Sequence, residues 1–340
     1  MNKEGSQSRR LFWLDMLRLV AVVAVIVIHV SAPGTSQTPL DSGTIVSLLA
    51  DGLSHWAVPM FVMISGALFL RPEKEINIRR IYTHYIPRLL VAYFFWWAVY
   101  AFIRVCVNPI EPGINVLSTR FLYHHYHLWF LTLLAAVYAL IPLLRKIASD
   151  EKTVEYFLVV WAIYISVGFF NISQVKQISS LFVVNEVVGY SGYFMLGYWL
   201  SQKSFKPCWR RIIYIAGIAG AFITAGGTQL MCHLGSEDRS LFFNNLSLNM
   251  GAMASAIFLL IKENSAALQP KFGKFVAFTG ENVFGIYLTH ALWIFFYTDT
   301  VRSYCHPAIM IPLSTVVIFV LSLLTTLFLR KIPFLKKVVE

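Results

Sequence analysis

The chain has 340 residues, of which 57% are hydrophobic and 13% are charged, and its mean hydropathy is +0.65. A soluble domain of this length is not so apolar along its whole course. The composition therefore excludes the soluble classes and predicts an all-α, polytopic membrane protein. The net charge of +11 does not require a nucleic-acid partner, because the basic residues are dispersed over loops that would face anionic lipid.

Ten hydrophobic segments are each long enough to cross the hydrocarbon core of a bilayer, which takes about 20 helical residues. No polar stretch between them could form a separate soluble domain, so we predict a single transmembrane domain over residues 1–340. The first segment is too long for a cleaved signal peptide, and it carries charges inside its apolar region, so we predict that it is retained. In chain order the predicted spans are 11–32, 45–70, 84–107, 124–144, 153–171, 183–201, 211–231, 241–261, 277–298 and 306–330.

Lysine and arginine are distributed unequally between the two sides of this predicted bundle. Most of the 28 lie before the first span, after the last one, or in the loops on the same side. By the positive-inside rule that side faces the cytoplasm, and both chain termini are cytoplasmic. The opposite side carries only Arg104, Arg120, Lys176, Arg239 and Arg302. The remaining basic residue, Arg18, lies inside the first span.

The first span contains three ionisable residues, Asp15, Arg18 and His29. Ionisable groups inside a membrane are costly, and by default they mark a functional site. Eleven residues at about 100° each return His29 to within roughly 20° of Arg18, about 16 Å further along the helix axis. One face therefore carries a cation near one membrane surface and a base near the other, and Asp15 can pair with Arg18. The alternative is that His29 is a core histidine bonded to a neighbouring helix.

A second group of basic residues leads into the third span. Arg80, His84 and Arg88 recur every four residues, so they are predicted to share one helix face at the cytoplasmic mouth. Such a patch suits an anionic ligand that bears phosphates, with Arg18 nearby if the first and third spans are neighbours. The alternative is that these residues only obey the positive-inside rule and contact lipid headgroups.

Titratable bases lie in the outer half of the predicted bundle, opposite the fixed cations of the inner half. The tract from His124 to His127 resembles a metal-binding sequence, but no nearby cysteine or carboxylate completes a site, so we predict no metal. The outer group consists of His29, Asp51, His55, His124, His125, His127, Glu186 and His290.

These residues resemble a known family. Asp15-x-x-Arg18, followed by His29 after ten residues, is similar to the first-helix motif of the acyltransferase-3 membrane acyltransferases. The size without an appended domain is most similar to the enterobacterial common antigen O-acetyltransferases of that family. Further pieces resemble the family in order along nearly the whole chain: Val58-Pro59-Met60-Phe61 with Ser65-Gly66, Arg79-Arg80 with Pro87, His127-Leu128-Trp129-Phe130 with Tyr138 and Pro142, Leu196-Gly197-Tyr198, and Phe284-Gly285-Ile286-Tyr287-Leu288 with His290.

The resemblance implies transfer of an acyl group, most often acetyl, from coenzyme A to a hydroxyl of an envelope or cell-surface glycan at the bacterial inner membrane. It implies that the phosphates of coenzyme A bind at Arg18 and Arg80, with help from Arg88. The flexible arm would carry the thioester to His29, the general base on the acceptor hydroxyl. Acetyl-coenzyme A is then a co-substrate rather than a bound cofactor, and a glycan or lipid-linked saccharide is the acceptor.

Two details stay open at this point. Many members of the family carry a second arginine three residues after the one that corresponds to Arg80. This chain has Thr83 at that position, so His84 or Arg88 is left for the second contact with the phosphates. Supporting roles are expected for Asp15 and His127, whereas the group that stabilises the tetrahedral oxyanion has three candidates by depth, Trp129, Tyr287 and His290.

A proton-coupled secondary transporter is the alternative function. Ten helices with a buried arginine and a buried histidine could also form a proton-coupled pathway. Against this reading, the sequence has no internal repeat and no pair of Gly/Pro-broken helices at matching positions in two halves. The acyltransferase is therefore the favoured interpretation.

Overall fold

The computed structural model describes residues 11–35, 41–73, 75–107, 126–169, 184–235, 241–302 and 305–340, with the backbone alone at 105, 107, 167–169, 184–185 and 297–302. All regular structure in these ranges is helical, which confirms the predicted all-α class. A three-residue helix and a π-turn, Ile81–Tyr85, lead into α4. The principal helices are α1 (Phe12–Ser31), α2 (Ser42–Gly52), α3 (Ala57–Phe69), α4 (Ile86–Val107), α5 (Trp129–Ala139), α6 (Ile141–Ala148), α7 (Glu151–Phe169), α8 (Val184–Gln202), α9 (Pro207–His233), α10 (Leu248–Arg302) and α11 (Pro307–Leu329).

The first helix lies inside the bundle, where it packs against α2, α3, α10 and α11. Leu17, Ala21, Val22 and Ile26 on this helix are buried almost completely. Because other helices surround α1, its ionisable residues face protein rather than lipid, and a polar site can form along it.

Two predicted spans are interrupted. The predicted span 45–70 is divided between α2 and α3 by a turn of four residues. The predicted span 124–144 contains α5 and α6, whose axes differ by 56°. Pro142 lies in the first turn of α6 and has no backbone N–H with which to continue the hydrogen bonding of α5. Both interruptions change which side chains face the interior.

The predicted spans 241–261 and 277–298 are not separate helices. Both belong to α10, a continuous helix of 55 residues. If it were straight, this helix would be about 82 Å long, more than twice the thickness of the hydrocarbon core.

Contacts with α1 show that α10 bends back on itself. A straight helix would hold Phe258 and Gly280 about 33 Å apart. Both nevertheless lie against the first turn of α1, because the rings of Phe258 and Trp13 are 5.4 Å apart between centroids and a Cβ atom on Gly280 would lie 2.8 Å from the Cβ of Asp15. The stretch between them contains Pro270, a common cause of helix kinks. The two arms of α10 therefore run in opposite directions.

Six helical stretches among the described residues are long and apolar enough to cross a membrane, with α2 and α3 together counted as one of them. The bent pair α5 and α6 would form a seventh if it is one span. The protein is thus a multi-pass membrane protein. The number is below ten because α10 counts once although it covers two predicted spans, and because α7 and α8, with 19 residues each, are not among the six. The count of ten stays a prediction.

Loops that the sequence assigns to one side contact one another. Arg145, in the last turn of α6, donates hydrogen bonds of 2.7 and 3.2 Å to the backbone oxygens of Phe69 and Arg71 after α3. Arg210 near the start of α9 pairs with Glu263 of α10 at 3.4 Å. These contacts agree with the predicted topology, while the assignment of this side to the cytoplasm stays a prediction.

Helices α3 and α8 cross in backbone contact. A Cβ atom on Gly66 would lie 1.7 Å from the backbone oxygen of Phe194, and one on Gly197 would lie 2.0 Å from the backbone oxygen of Met63. This confirms the interpretation that small residues near Ser65 let two helices approach closely.

We expect Gly66→Ala to destabilise the detergent-purified protein by about 1–3 kcal/mol or more, because the added methyl group forces two backbones apart. A thermal unfolding scan measures the effect. Gly226→Ala is the matched control, since a Cβ atom there would have no neighbour within 4 Å. Equal melting temperatures for the two variants would contradict the close crossing.

Candidate active site

A cavity of about 340 Å³, the inner cavity, lies beside the end of α1 that carries Asp15. Its charged lining residues among the described part of the chain are Arg18, Arg88, Glu281 and Glu340. The remaining wall consists mostly of leucine and aromatic side chains from α3, α4, α5 and α10. Cations combined with an apolar wall suit a ligand that has a phosphate-bearing end and an apolar part.

Arg18 is held in this cavity by an ion pair. Its Nη1 donates to Asp15 Oδ1 at 2.6 Å, as the sequence spacing predicts. The Asp15 side chain is buried, whereas 27% of the Arg18 side chain is accessible. Gly280 lets α10 pack directly over Asp15. The carboxylate therefore fixes the guanidinium from the buried side and leaves its other face toward the cavity.

The residues before and within α4 divide into two groups. Arg88 lines the inner cavity, with its guanidinium carbon 5.7 Å from the centroid of the Phe284 ring. Arg80 and His84, which are exposed as Arg88 is, do not line the cavity. Both pack against Tyr85, which does. The π-turn, whose hydrogen bonds span five residues instead of four, changes the angular spacing on which the predicted shared face depended.

Several lining residues of the inner cavity were not predicted as site residues. The hydroxyls of Ser65 and Tyr138 lie 3.3 Å apart in its wall. Glu281 comes to the cavity from the second arm of α10. Its position depends on the bend of α10, for which the hydrophobic pattern carries no signal.

A smaller cavity of about 100 Å³, the outer cavity, lies beside the other end of α1. It brings together four residues that the sequence analysis selected: His29, His127, Trp129 and Tyr287. His29 lies in α1 and His127 in the turn before α5. Trp129 begins α5, and Tyr287 lies in α10. The structure thus assembles one site from residues separated by more than 250 positions.

The ring of His29 is packed among other rings. It lies 5.2 Å from the ring of His290, nearly parallel to it at 24°, and 4.7 Å from the ring of Tyr126. His127 in turn lies 5.1 Å from His290. Three histidines from distant parts of the chain therefore form one cluster at the end of α1, and His290 forms its completely buried back.

Hydrogen bonds define the roles of two ring groups in this cluster. His290 Nδ1 lies 2.5 Å from the backbone oxygen of Tyr287. A carbonyl oxygen only accepts, so Nδ1 donates, and in the neutral ring Nε2 carries the lone pair. The hydroxyl of Tyr287 donates to the backbone oxygen of His127. The donor groups of Tyr287 and of neutral His290 are thus already engaged.

Three aromatic residues line both cavities: Phe61, Phe130 and Tyr287. The centroid of the Phe61 ring lies 6.1 Å from that of Phe130 and 6.3 Å from that of Tyr287, and the last two are 5.8 Å apart. The three rings are therefore in mutual contact. We call this group the aromatic partition. It separates the site with the two arginines from the site with His29, and a chain that joined the two sites would pass between these rings.

The described residues contain no group of three or more His, Cys, Asp or Glu side chains arranged to hold a metal ion. His124 and His125, two members of the histidine tract, lie outside the described residues.

The fold and the two cavities define a multi-pass membrane protein with an arginine-containing site and a histidine-containing site arranged along one buried helix. The profile of the Acyltransferase domain family, acyltransferase-3, matches residues 11–331. The chain belongs to this family and is a membrane acyltransferase. A search of curated proteins and a search of solved structures each found no match.

We expect Asp15→Asn to lower the free energy of unfolding by about 1–3 kcal/mol, because Arg18 loses its charged partner. The effect should be smaller than the ~3–5 kcal/mol of a fully buried pair, since Arg18 is partly accessible. Glu263→Gln, which breaks the more exposed pair with Arg210, is the control and should change stability by less than about 1 kcal/mol. Similar melting temperatures for both variants would argue against a special role for the pair on α1.

Proposed function

We propose that the protein is an O-acyltransferase that moves an acetyl group from acetyl-coenzyme A to a hydroxyl of an envelope or cell-surface glycan at the bacterial inner membrane. The observation that carries the proposal is the shared lining of the two cavities. The inner cavity, which contains Arg18 and Arg88, and the outer cavity, which contains His29, meet at the aromatic partition. A donor with a charged end and a long reactive arm fits this division.

The inner cavity is suited to the phosphate-bearing part of the donor. Arg18 and Arg88 both line it, and guanidinium groups bind phosphate through paired hydrogen bonds. Arg80 and His84 lie outside the lining. We therefore assign them to the path by which the donor enters the cavity, rather than to contacts with the bound phosphates. The distance from Arg18 to His29 along α1, about 16 Å, is comparable with the length of the pantetheine arm.

His29 is proposed as the general base. It removes the proton of the acceptor hydroxyl while the oxygen attacks the thioester carbonyl. A tetrahedral oxyanion forms, the C–S bond breaks, and the coenzyme A sulfur leaves as a thiolate that receives the proton from His29. The products are an ester and free coenzyme A.

Trp129 is the best candidate for stabilising the oxyanion. Its indole has one N–H donor, and its side chain lines the outer cavity. The other two candidates are less suitable, because their donor groups already bond to backbone oxygens. The hydroxyl of Tyr287 donates to the backbone oxygen of His127, and Nδ1 of neutral His290 donates to that of Tyr287. A preorganised donor of this kind contributes about 10²–10³ in kcat.

A short acyl group fits the outer cavity. Its volume is about 100 Å³, against about 340 Å³ for the inner cavity. The smaller space beside His29 favours a short acyl group. This supports the expectation, from the resemblance to the enterobacterial common antigen O-acetyltransferases, that acetyl is the transferred group.

Binding and turnover of acetyl-coenzyme A by the detergent-purified protein test the division of roles. We expect Arg18→Ala to weaken donor binding at least tenfold, whereas His29→Ala should bind the donor normally and lose about 10²–10⁴ in transfer rate. Trp129→Phe should bind normally and lose about 10²–10³ in kcat. Arg211→Ala, an exposed change on α9, is the control and should behave as wild type.

Full transfer activity of a well-folded His29→Ala variant would refute the proposed base. If the wild type neither binds nor consumes the thioester, and proteoliposomes show counterflow uptake without an acyl donor, the transporter becomes the better interpretation.

The aromatic partition can be tested separately. We expect Phe61→Trp to retain donor binding and to reduce transfer at least tenfold, because a larger ring closes the passage between Phe130 and Tyr287. Phe222→Trp on α9 is the matched control, since 74% of Phe222 is exposed toward the surroundings of the bundle. Normal transfer by Phe61→Trp would show that the arm takes another route.

A further inference from the structure

The inner cavity contains acidic groups that the proposed mechanism does not use. In the described part of the chain its charged lining consists of two basic residues, Arg18 and Arg88, and two acidic ones, Glu281 and Glu340. A lining with as many acidic as basic groups does not by itself attract a donor that carries several negative charges. The cavity therefore accepts such a donor more readily if one of the carboxylates moves away.

Glu340 is held at the edge of this cavity by two cations. Its Oε1 lies 2.8 Å from Arg330 Nη2 and 3.6 Å from Lys336 Nζ. Arg330 is oriented by Asn282 of α10, whose Oδ1 accepts a hydrogen bond from Arg330 Nη1 at 2.5 Å. Asn282 is buried, and its Nδ2 donates to the backbone oxygen of Phe278 at 2.7 Å. Two cations, one of them oriented by a buried amide, thus form an anion site that is occupied by an internal carboxylate.

The carboxylate of Glu340 is not needed to hold residues 333–340 on the bundle. Val338 and Val339 in this segment are buried almost completely. The indole Nε1 of Trp96 on α4 donates to the backbone oxygen of Val338 at 3.0 Å. Because 37% of the Glu340 side chain is accessible, its carboxylate can turn into water while these contacts keep the backbone in place. The anion site can therefore be vacated without unfolding the segment.

We propose that Arg330 and Lys336 form a phosphate subsite of the inner cavity, and that Glu340 occupies this subsite until a phosphate monoester of the donor replaces it. This inference rests on the proposed function and deepens its donor site. In coenzyme A the monoester is the 3′-phosphate of the ribose, which lies at the end of the molecule opposite the thioester. Arg18 and Arg88 then bind the diphosphate, which is closer to the reactive arm.

A phosphate monoester is a stronger ligand for the two cations than a carboxylate. It carries a charge of about −1.5 to −2 near neutral pH, whereas the Glu340 carboxylate carries a single negative charge. Arg330 can keep its bond to Asn282 through Nη1 while Nη2 donates to the phosphate. A ligand without the monoester gains nothing at this subsite and still meets the carboxylate. Glu340 thereby makes the cavity selective for donors that carry the monoester.

Equilibrium binding of acetyl-coenzyme A and of acetyl-3′-dephospho-coenzyme A to the detergent-purified full chain tests the subsite. The wild type should bind the first at least about tenfold more tightly than the second, and Arg330→Gln and Lys336→Gln should each lose most of this preference. Lys337→Gln is the matched control, because this neighbouring lysine is exposed and its side chain takes no part in the subsite.

Glu340→Gln should have the opposite effect. We expect it to bind acetyl-coenzyme A about three- to tenfold more tightly than the wild type, because no internal anion has to be displaced. Its affinity for the dephospho derivative should change much less. If Glu340 only fastened residues 333–340, the variant would bind both donors equally well or equally poorly relative to wild type. Thermal unfolding identifies a variant that does not fold, and Lys336→Gln, a change at an exposed side chain, then provides the second test.

Repeating the binding measurements with and without phosphatidylglycerol in the micelles distinguishes a donor phosphate from a lipid headgroup. Loss of the preference for the 3′-phosphate when phosphatidylglycerol is present would assign the two cations to lipid and overturn the subsite. Equal affinity of the wild type for both donors would also overturn it, as would a folded Glu340→Gln that binds acetyl-coenzyme A no more tightly than wild type. These three results leave the proposed function intact, whereas a wild type that binds neither donor would overturn the proposed function itself.

Discussion

The ion pair between Asp15 and Arg18 is the interaction on which the site depends. An arginine inside a membrane bundle is costly unless its charge is compensated, and a carboxylate one helical turn away compensates it at 2.6 Å. With this compensation, α1 can lie among four other helices and still present a cation to the inner cavity. Gly280 completes the arrangement, because a larger residue there would push α10 away from Asp15.

The buried position of α1 also explains how two chemically different sites share one axis. Arg18 faces the inner cavity and His29 faces the outer one, and the aromatic partition lies between them. Phe61 and Phe130 contribute no charge or hydrogen bond to either site. Their rings separate the part of the interior that contains the two arginines from the part that contains His29.

The sequence predicted a large part of this protein correctly. The all-α class, the membrane location and the pairing of Asp15 with Arg18 follow from hydrophobic length and from three-residue spacing, which are local properties of a helix. The family resemblance, carried by motifs in the same order, agrees with a profile match over residues 11–331. Features that depend on distant contacts were not visible in the sequence: Arg80 and His84 do not line the inner cavity, and most of the predicted spans 241–261 and 277–298 lies on one bent helix.

The sequence by itself therefore determined the helical class, the ionisable residues of α1 and the class of chemistry, because each depends on local sequence patterns. Only the tertiary structure decided which helices surround α1, how α10 turns back, and that Glu340 lines the same cavity as Arg18. These features depend on packing between residues far apart in the chain. Hydrophobic periodicity records which residues are apolar, but it does not record which apolar faces meet.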